Sequence, residues 1–412
     1  MRKRLSKDNS IILKNLSFLT VLRFFNIGVK FFLVAYLVRI LGTTNYGVLT
    51  WTDSIIQYFI IFINFGFNIY AAKYIVENKG SNAFLNKITS AIFTIKFILF
   101  CTSFLLLYFF SFLDALSSYS LFLYVMLLMG IGEVFFPIWY FQGVEKLQLA
   151  TYITVFARMF LVAGTLVFVN NSEDLLIHIF LIVISNLIMG VLGYLTLIRK
   201  FNFKFYFVGI KEILNVIKEA YMFFLGRFLS LTFNFMTIFL IGLFYSMDYV
   251  TGFDVALKVV LVCVIPFDML QQAVFPTIAR SKNKRILKKL IIISFLIGLV
   301  FTLILNIFPK ELLSLFGGDE LVQYSSVLKI LSPIPPIVAL TFILGTCTLV
   351  VFGYNKEFNQ SLIISSLLYI LIVLILFIFK KVTFWNLVYL RLVSDLFLMI
   401  IRIYFVYKKR IF

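Results

Sequence analysis

The amino-acid sequence predicts an all-α integral membrane protein of about twelve transmembrane helices, in two six-helix bundles related by pseudo-two-fold symmetry. Composition is the first observation: 62% of the 412 residues are hydrophobic and only 13% are charged. Soluble domains carry about 25% charged residues, which help to cover a surface in contact with water. A chain this apolar is therefore expected to be solvated by a bilayer.

The length of the apolar runs is the second observation. A helix needs about 20 residues to cross the hydrocarbon core, whereas a barrel strand needs about half that number and alternates apolar with polar side chains. The runs in this chain do not alternate, so we expect helices. The expected spans are residues 16–40, 48–72, 88–112, 119–141, 148–169, 175–198, 220–245, 252–278, 290–308, 325–351, 362–379 and 385–406.

The distribution of Lys and Arg is the third observation. About 24 of these residues fall in loops on the side of the N-terminus, against Arg39, Lys310, Lys380 and Lys381 on the other side. This asymmetry predicts a multi-pass protein of the cell (inner or plasma) membrane with both termini in the cytoplasm, which requires an even number of spans. The net charge of +19 is spread over short loop clusters, a pattern that does not indicate nucleic-acid binding.

Two segments of the first half have counterparts in the second half. Residues 18–30 and 222–234 each carry an Arg that is followed by polar residues three and seven positions later. Gly143–Lys146 resembles Gly353–Lys356 in the same order along the chain, at a similar offset. Because six spans is an even number, the halves would share a topology and be related by an axis along the membrane normal. The predicted bundles are residues 1–205 and 206–412.

Cationic residues recur at corresponding places in the two halves. Arg23 and Lys30 share one face of the first helix, because seven residues are nearly two turns. Arg227 lies on the equivalent face of the seventh helix, and Lys258 aligns with Asp53 in the repeat. Charges at membrane depth are costly and usually face a cavity or a partner. We therefore predict that Arg23, Lys30, Arg227 and Lys258 line a central cationic cavity suited to an anionic group such as a pyrophosphate.

Three carboxylates at membrane depth, Asp53, Glu133 and Asp268, are candidates for coupling transport to an ion. Alternatively, Asp53 or Glu133 pairs with the cations of the proposed cavity, which would then have a structural role. The cations would also be structural if their side chains extended to the membrane surface. Asp268 follows Pro266, which opens the helix and creates a bending point. The alternative for Asp268 is a structural carboxylate with a partner.

Two acid–base pairs are spaced four residues apart on a helix, which permits internal salt bridges. They are Asp254 with Lys258 and Arg391 with Asp395, and for the second we expect a structural ion pair. The single histidine, His178, lies near the outer end of the sixth span and is also expected to be structural.

The sequence predicts no enzymatic constellation. The presence of a single His argues against His-based triads and His-rich metal sites, and the three cysteines lie inside apolar runs without metal-ligand spacing. The phosphate-binding pattern GxxxxGK[ST] is absent. We therefore expect no cofactor and no metal, and a transport process that draws on H⁺ or Na⁺, the membrane potential or the substrate's own gradient.

Two short motifs resemble those of a known family. From residue 137 the sequence reads Pro-Ile-Trp-Tyr-Phe-Gln-Gly-Val-Glu-Lys, and from residue 41 it reads Leu-Gly-Thr-Thr-Asn-Tyr-Gly. These segments, the Arg of the first helix and the span count resemble the Wzx-type flippases for O-antigen and capsular polysaccharide repeat units, in the multidrug/oligosaccharidyl-lipid/polysaccharide (MOP) exporter superfamily. The most specific part is a cytoplasmic loop motif, which is expected to serve gating or topology. It consists of Phe141, Gln142, Gly143, Glu145 and Lys146.

This resemblance implies a V-shaped pair of six-helix bundles that works by alternating access. The substrate would be an undecaprenyl-pyrophosphate-linked oligosaccharide, moved from the cytoplasmic to the outer leaflet for O-antigen or capsule synthesis. A polysaccharide polymerase and a chain-length regulator would be protein partners. Family members carry cationic residues in the central cavity, where Arg23, Lys30, Arg227 and Lys258 would stand.

Other functions remain open from the sequence. A multidrug exporter of the same superfamily is the nearest rival, although the basic stripes argue against cationic drugs. Exporters of other lipid-linked precursors include lipid II flippases, which usually have two further C-terminal helices. A membrane polysaccharide polymerase or glycosyltransferase would belong to another class, and would usually carry a large outer loop or a soluble domain with carboxylates.

Overall fold

The computed structural model describes the backbone of residues 2–78 and 82–412, and the side chains of residues 28, 31–78, 83–229 and 235–412. Within these ranges the chain forms helices joined by short turns, without a strand. The α-helices are α1 Arg2–Asn64, α2 Phe67–Glu77, α3 Asn82–Phe110, α4 Asp114–Ser117, α5 Ser120–Leu127, α6 Met129–Phe135, α7 Ile138–Gly143, α8 Leu147–Phe168, α9 Leu175–Phe201, α10 Ile210–Phe244, α11 Met247–Ser281, α12 Lys284–Ile307, α13 Pro309–Gly317, α14 Ser325–Leu331, α15 Ile334–Phe342, α16 Asn355–Ile378 and α17 Phe384–Lys408. A π-helix, Ile343–Val350, follows α15.

The predicted all-α membrane class is confirmed. The described residues contain eight helices that are long and apolar enough to cross a membrane, or nine if one bent pair counts as a single span. The count of twelve stays a prediction. One further helix, α17, has a sufficient length of 25 residues, but it carries Arg391, Asp395 and Arg402, which lower its hydropathy.

Several breaks interrupt the spans, and those at Gly42, Pro137 and Pro333 each have a local cause. Gly42 has φ 76° and ψ 168°, which breaks the helical path of α1 between the first two predicted spans. Pro137 separates α6 from α7, because a proline ring has no N–H to donate to the preceding turn. The bent pair Asp319–Leu331 and Ile334–Val350 meets at 44° around Pro333.

The residue contacts group the chain into two compact units. Unit 1 is Met1–Leu33 with Thr52–Phe228, and unit 2 is Val34–Trp51 with Leu229–Phe412. The grouping differs from the predicted 205/206 boundary, because residues 34–51 join the second half of the chain and residues 206–228 join the first. The six-helix bundles 1–205 and 206–412 stay a prediction.

Local packing explains this exchange of segments. In unit 2, the Trp51 indole N–H donates to the Phe239 carbonyl oxygen at 3.0 Å, and the two rings stack with centroids 6.3 Å apart. In unit 1, the Phe224 ring stacks on Phe65 with centroids 4.6 Å apart. Aromatic burial of this kind contributes about 0.5–1.5 kcal/mol per pair beyond the area removed from solvent.

Unit 1 has a core rich in aromatic side chains. The Phe93 ring lies 6.1 Å from that of Trp139 and 5.6 Å from that of Tyr194, measured between centroids. Where α6 meets α9, a Cβ added to Gly190 would lie 2.7 Å from the Gly132 carbonyl oxygen. These glycines therefore let the two backbones approach each other closely, as small residues do between membrane helices.

Candidate functional site

A polar cluster lies inside unit 1, formed by Asp53 of α1, Lys96 of α3, Glu133 of α6 and Arg158 of α8. Lys96 is 1% exposed, and its ammonium group donates to the backbone carbonyl oxygen of Glu133. That carbonyl is four residues before Pro137, which has no N–H to offer it. The lysine thus supplies a hydrogen bond that the helix cannot make.

The carboxylates of this cluster have several donors. The Asn64 side-chain amide donates to Glu133 Oε2 at 3.1 Å, and the Gln57 amide donates to Asp53 Oδ1 at 2.8 Å. Arg158 interacts electrostatically with both Glu133 and Asp53. Two cations and two carboxylates give the cluster a formal charge of zero, which reduces the cost of holding ions away from water.

The cluster contains two of the three predicted ion-coupling carboxylates. The sequence placed Asp53 and Glu133 at membrane depth, but it did not show which cations they meet. Contacts between different helices are not encoded in spacing along one helix, so these partners were missed. The unpaired carbonyl before Pro137 was the one local signal that a donor was needed.

A second polar site lies inside unit 2 and consists of Tyr46, Asp254 and Lys258. Lys258 Nζ lies 2.5 Å from Asp254 Oδ2 and 2.7 Å from the Tyr46 hydroxyl oxygen, and the Tyr46 hydroxyl lies 3.0 Å from Asp254 Oδ2. The Asp254 side chain is 6% exposed and that of Lys258 is 28% exposed. The salt bridge that the four-residue spacing permits is present, and its tyrosine partner was not predicted.

Two further expectations concern structural side chains, and the expected ion pair on α17 is confirmed. Arg391 Nη1 lies 2.7 Å from Asp395 Oδ2 in a buried ion pair on α17. His178 is 2% exposed, and its Nδ1 lies 3.2 Å from the Thr165 hydroxyl oxygen.

The predicted substrate-binding cations are described in part. The side chains of Arg23 and Lys30 lie outside the described residues. Arg227 is exposed on α10 and belongs to unit 1, whereas Lys258 belongs to unit 2. The cationic cavity therefore stays a prediction.

Asp268, the third predicted coupling residue, is half-buried on α11. The expected opening at Pro266 does not interrupt this helix, which continues from Met247 to Ser281 through both Pro266 and Pro276. The role of Asp268 in ion coupling stays a prediction.

The loop motif from Phe141 to Lys146 forms the end of α7. Phe141 is fully buried, and a Cβ on Gly143 would lie 2.7 Å from Ile75 side-chain atoms. Glu145 has φ 60°, its N–H donates to the Gln142 carbonyl at 3.1 Å, and the Lys146 N–H donates to the Phe141 carbonyl at 2.8 Å. This is the hydrogen-bond pattern of a Schellman motif, with Glu145 in the left-handed position where glycine is usual.

The same turn recurs after the π-helix. Gly353 has φ 87°, its N–H donates to the Val350 carbonyl at 3.0 Å, and the Tyr354 N–H donates to the Leu349 carbonyl at 2.8 Å. The structural counterpart of Gly353 is therefore Glu145. The sequence match had paired Gly353 with Gly143, two residues away.

Known proteins are similar to this chain over most of its length. The sequence matches the family described as "Polysaccharide biosynthesis protein" over residues 12–282. A protein of Escherichia coli (strain K12) named "Putative O-antigen transporter" is 24% identical over 375 residues, which are 87% of this chain and 88% of the relative. A protein of the same name from Shigella dysenteriae is 23% identical over 370 residues, 87% of this chain and 91% of the relative.

Solved structures share the fold. The lipid II flippase MurJ in an inward closed conformation superposes with a TM-score of 0.75 and 14% identity, covering 95% of this chain and 87% of that chain. An inward-facing multidrug resistance MATE family transporter of the MOP superfamily gives a TM-score of 0.71 and 15% identity, covering 95% of this chain and 94% of that chain. At these identities the likeness concerns the fold.

Proposed function

The chain belongs to the polysaccharide biosynthesis protein family, and from this premise we propose that it is a flippase for undecaprenyl-pyrophosphate-linked oligosaccharide repeat units. It would move them from the cytoplasmic to the outer leaflet by alternating access, for O-antigen or capsule synthesis. The observation that carries the proposal is the family match over residues 12–282 in a chain whose described helices are built to cross a membrane. The relatives named as O-antigen transporters support it, since each aligns with 87% of the chain.

The substrate combines a lipid with a pyrophosphate, and we assign the pyrophosphate to Arg23, Lys30, Arg227 and Lys258. Lys258 illustrates how this would work. An ammonium group has three donors, and Asp254 and Tyr46 are the two partners seen in the structure. The third donor would bind a phosphate oxygen, while Asp254 lowers the cost of keeping the cation in place without substrate.

We assign coupling to H⁺ or Na⁺ to the carboxylates Asp53, Glu133 and Asp268. Asp53 and Glu133 balance the charges of Lys96 and Arg158, so adding a proton or a Na⁺ ion would leave the cluster with excess positive charge. Such a change alters the contacts among α1, α3, α6 and α8. A local charge change that favours one arrangement of helices is a physical basis for coupling.

We further propose that both termini are cytoplasmic and that the protein acts in the cell membrane beside a polysaccharide polymerase and a chain-length regulator. The Lys and Arg asymmetry of the loops supports this orientation. The loop motif from Phe141 to Lys146 would serve gating or topology by fixing the position at which α7 ends.

The test compares cells with and without this chain. Without it, undecaprenyl-pyrophosphate-linked repeat units should accumulate inside the cell and surface polysaccharide should disappear. If the chain were a polymerase, its loss would instead leave single repeat units at the surface. If it were a drug exporter, its loss would leave the polysaccharide intact and lower drug resistance. Either of these two results contradicts the flippase.

Variants of Arg227 test the assigned cation. Arg227→Ala should abolish surface polysaccharide in membranes that contain the normal amount of protein, and Arg227→Lys should keep part of the activity if charge alone matters. Lys282→Ala, which removes a cation from the turn after α11, is the matched control and should keep full activity. Normal polysaccharide from Arg227→Ala would exclude this side chain from the binding site.

A further inference from the structure

A cavity of about 720 Å³ lies in unit 2, beside the end of α17. Its apolar wall is formed by Ile291 of α12, Leu340 of α15, Leu344 of the π-helix, and Ile403 and Val406 of α17. Pockets that bind small molecules are about 300–1,000 Å³ in volume and mostly apolar. The cavity therefore has the size and wall chemistry to hold a hydrocarbon group.

The rim of the cavity is basic and aromatic. Lys408 and Arg410 line it together with the rings of Tyr407 and Phe412. A third cation approaches from α12, where Lys288 Nζ lies 5.9 Å from the centroid of the Phe412 ring. An apolar wall with a cationic rim matches the two ends of an anionic lipid.

The backbone at the rim adopts a costly conformation. Arg410 has φ 50°, its N–H donates to the Tyr407 carbonyl at 2.9 Å, and the Ile411 N–H donates to the Val406 carbonyl at 3.2 Å. The left-handed conformation is unfavourable for an L-residue with a Cβ. Burial of Ile411, which is 3% exposed, offsets this cost, and the turn sets Arg410 and Phe412 on the cavity.

The neighbouring basic residue is engaged elsewhere. Lys409 Nζ lies 2.7 Å from Glu357 Oε1, and this hydrogen bond raises the pKa of Lys409 above its usual value. The Glu357 carboxylate therefore already balances the positive charge of Lys409. Of these three consecutive basic residues, Lys408 and Arg410 line the cavity, whereas Lys409 pairs with Glu357.

The surroundings indicate which ligand can reach the cavity. On α12, the side chains of Ile292, Ile293 and Leu296 are 58%, 49% and 54% exposed, as expected of a surface that faces hydrocarbon. The Lys and Arg asymmetry predicts that this end of α17 is cytoplasmic, where the leaflet is rich in anionic lipids. Basic pockets between membrane helices on that side bind anionic headgroups.

We propose that this cavity is a binding site for an anionic phospholipid of the cytoplasmic leaflet. One acyl chain lies along the wall of Ile291, Leu344 and Ile403, and the phosphate contacts Lys408 and Arg410, with Lys288 nearby. The bound phospholipid is a resident of unit 2 and is not transported, so the site is separate from the proposed flippase activity.

Native mass spectrometry of the purified full-length protein tests the site. The probes are palmitoyl-oleoyl phosphatidylglycerol and the zwitterionic palmitoyl-oleoyl phosphatidylcholine. Each basic side chain near a membrane surface strengthens the attraction of anionic lipid. The double variant Lys408→Ala/Arg410→Ala should therefore bind phosphatidylglycerol about 30-fold more weakly, which corresponds to about 2 kcal/mol, and phosphatidylcholine as before.

Two further variants keep the test decisive. Lys409→Ala removes an adjacent charge that is paired with Glu357, and it should retain phosphatidylglycerol binding. Ile403→Trp fills the cavity while leaving the rim charges in place, and it should lose phosphatidylglycerol binding. The proposal is overturned if Lys409→Ala weakens binding as much as the double variant, if Ile403→Trp binds normally, or if both phospholipids bind equally well.

A polyprenyl pyrophosphate shares the same chemistry of apolar chain and phosphate. Farnesyl pyrophosphate is the probe for a polyprenyl pyrophosphate as the ligand of this cavity. If it binds to this cavity in preference to phosphatidylglycerol, and the binding is lost in Ile403→Trp, the phospholipid assignment is wrong. Failure of the flippase proposal in cells would leave these binding results unchanged, so the two proposals are tested separately.

Discussion

Lys258 shows how a single charge can be held at membrane depth. Its partners, Asp254 and Tyr46, have very different separations along the chain, four residues for the first and 212 for the second. The first was predictable, because residues four apart share a helix face. The second was not, because it depends on how α1 packs against α11 within unit 2. The same holds for Lys96, whose partner Glu133 is 37 residues away.

Removing one charge of the Lys258–Asp254 pair should be more harmful than removing both. Lys258→Met leaves the nearly buried Asp254 without its cation, which we expect to cost about 3 kcal/mol or more of unfolding free energy. The double variant Lys258→Met/Asp254→Asn should recover most of that loss, because the amide oxygen still accepts from Tyr46. Thermal unfolding of the purified protein measures both values.

Function separates the two roles of this lysine. If the ammonium group binds pyrophosphate, the double variant should be stable and still fail to produce surface polysaccharide. A double variant that is stable and active would reduce Lys258 to a structural role.

Among the secondary-structure elements, the long helices could be predicted from the apolar composition of their segments. The breaks and irregular turns between them could not be predicted as well. The long apolar runs of α8 and α9 were placed nearly to their ends, because bilayer thickness sets their length, whereas α3 begins six residues before its predicted span. The π-helix Ile343–Val350 was not foreseen, since π-helical hydrogen bonds have no simple residue pattern. The turn that ends α7 was recognised as a motif, and its physical content emerged only from φ of Glu145.

Two opposite substitutions test the paired Schellman turns. Glu145→Gly lacks the Cβ that is costly at φ 60°, so its unfolding free energy should be up to about 1 kcal/mol higher than that of Glu145→Ala, which also loses the carboxylate; Gly353→Ala at φ 87° should lower the unfolding free energy by a similar amount. Steric clashes do not contribute to the effect of Gly353→Ala, because an added Cβ on Gly353 meets nothing within 4 Å. Thermal unfolding measures both changes.

The loop motif also has a functional readout. If Glu145 serves only the turn, Glu145→Gly should keep surface polysaccharide at its normal level. Loss of polysaccharide without loss of stability would give the carboxylate a gating role.

At the scale of the whole molecule, the membrane class followed from hydropathy and loop charge, while the grouping of segments did not. Sequence similarity divides the chain between two consecutive halves, but packing of Trp51 on Phe239 and of Phe224 on Phe65 depends on three-dimensional neighbours. Unit 2 consequently contains residues 34–51 from the beginning of the chain.

Cysteine labelling tests the predicted orientation. Cys101, Cys263 and Cys347 are free, so they are first replaced by Ala. In intact cells a membrane-impermeant maleimide should then label Ser172→Cys and Lys381→Cys but not Lys282→Cys or Lys409→Cys, which should react only after lysis. The opposite pattern would reverse the topology derived from loop charge.

The discontinuity of unit 2 has a consequence for biosynthesis. Residues 34–51 leave the ribosome early, yet their partners Asp248, Asp254 and Phe239 are made about 200 residues later, at about 5–20 residues per second. During that interval Thr43, Tyr46 and Trp51 lack the groups that satisfy them in the finished protein. A chain that stops at residue 228 should therefore be degraded in cells. Co-synthesis of residues 229–412 as a separate polypeptide should protect it, which pulse-chase labelling can follow.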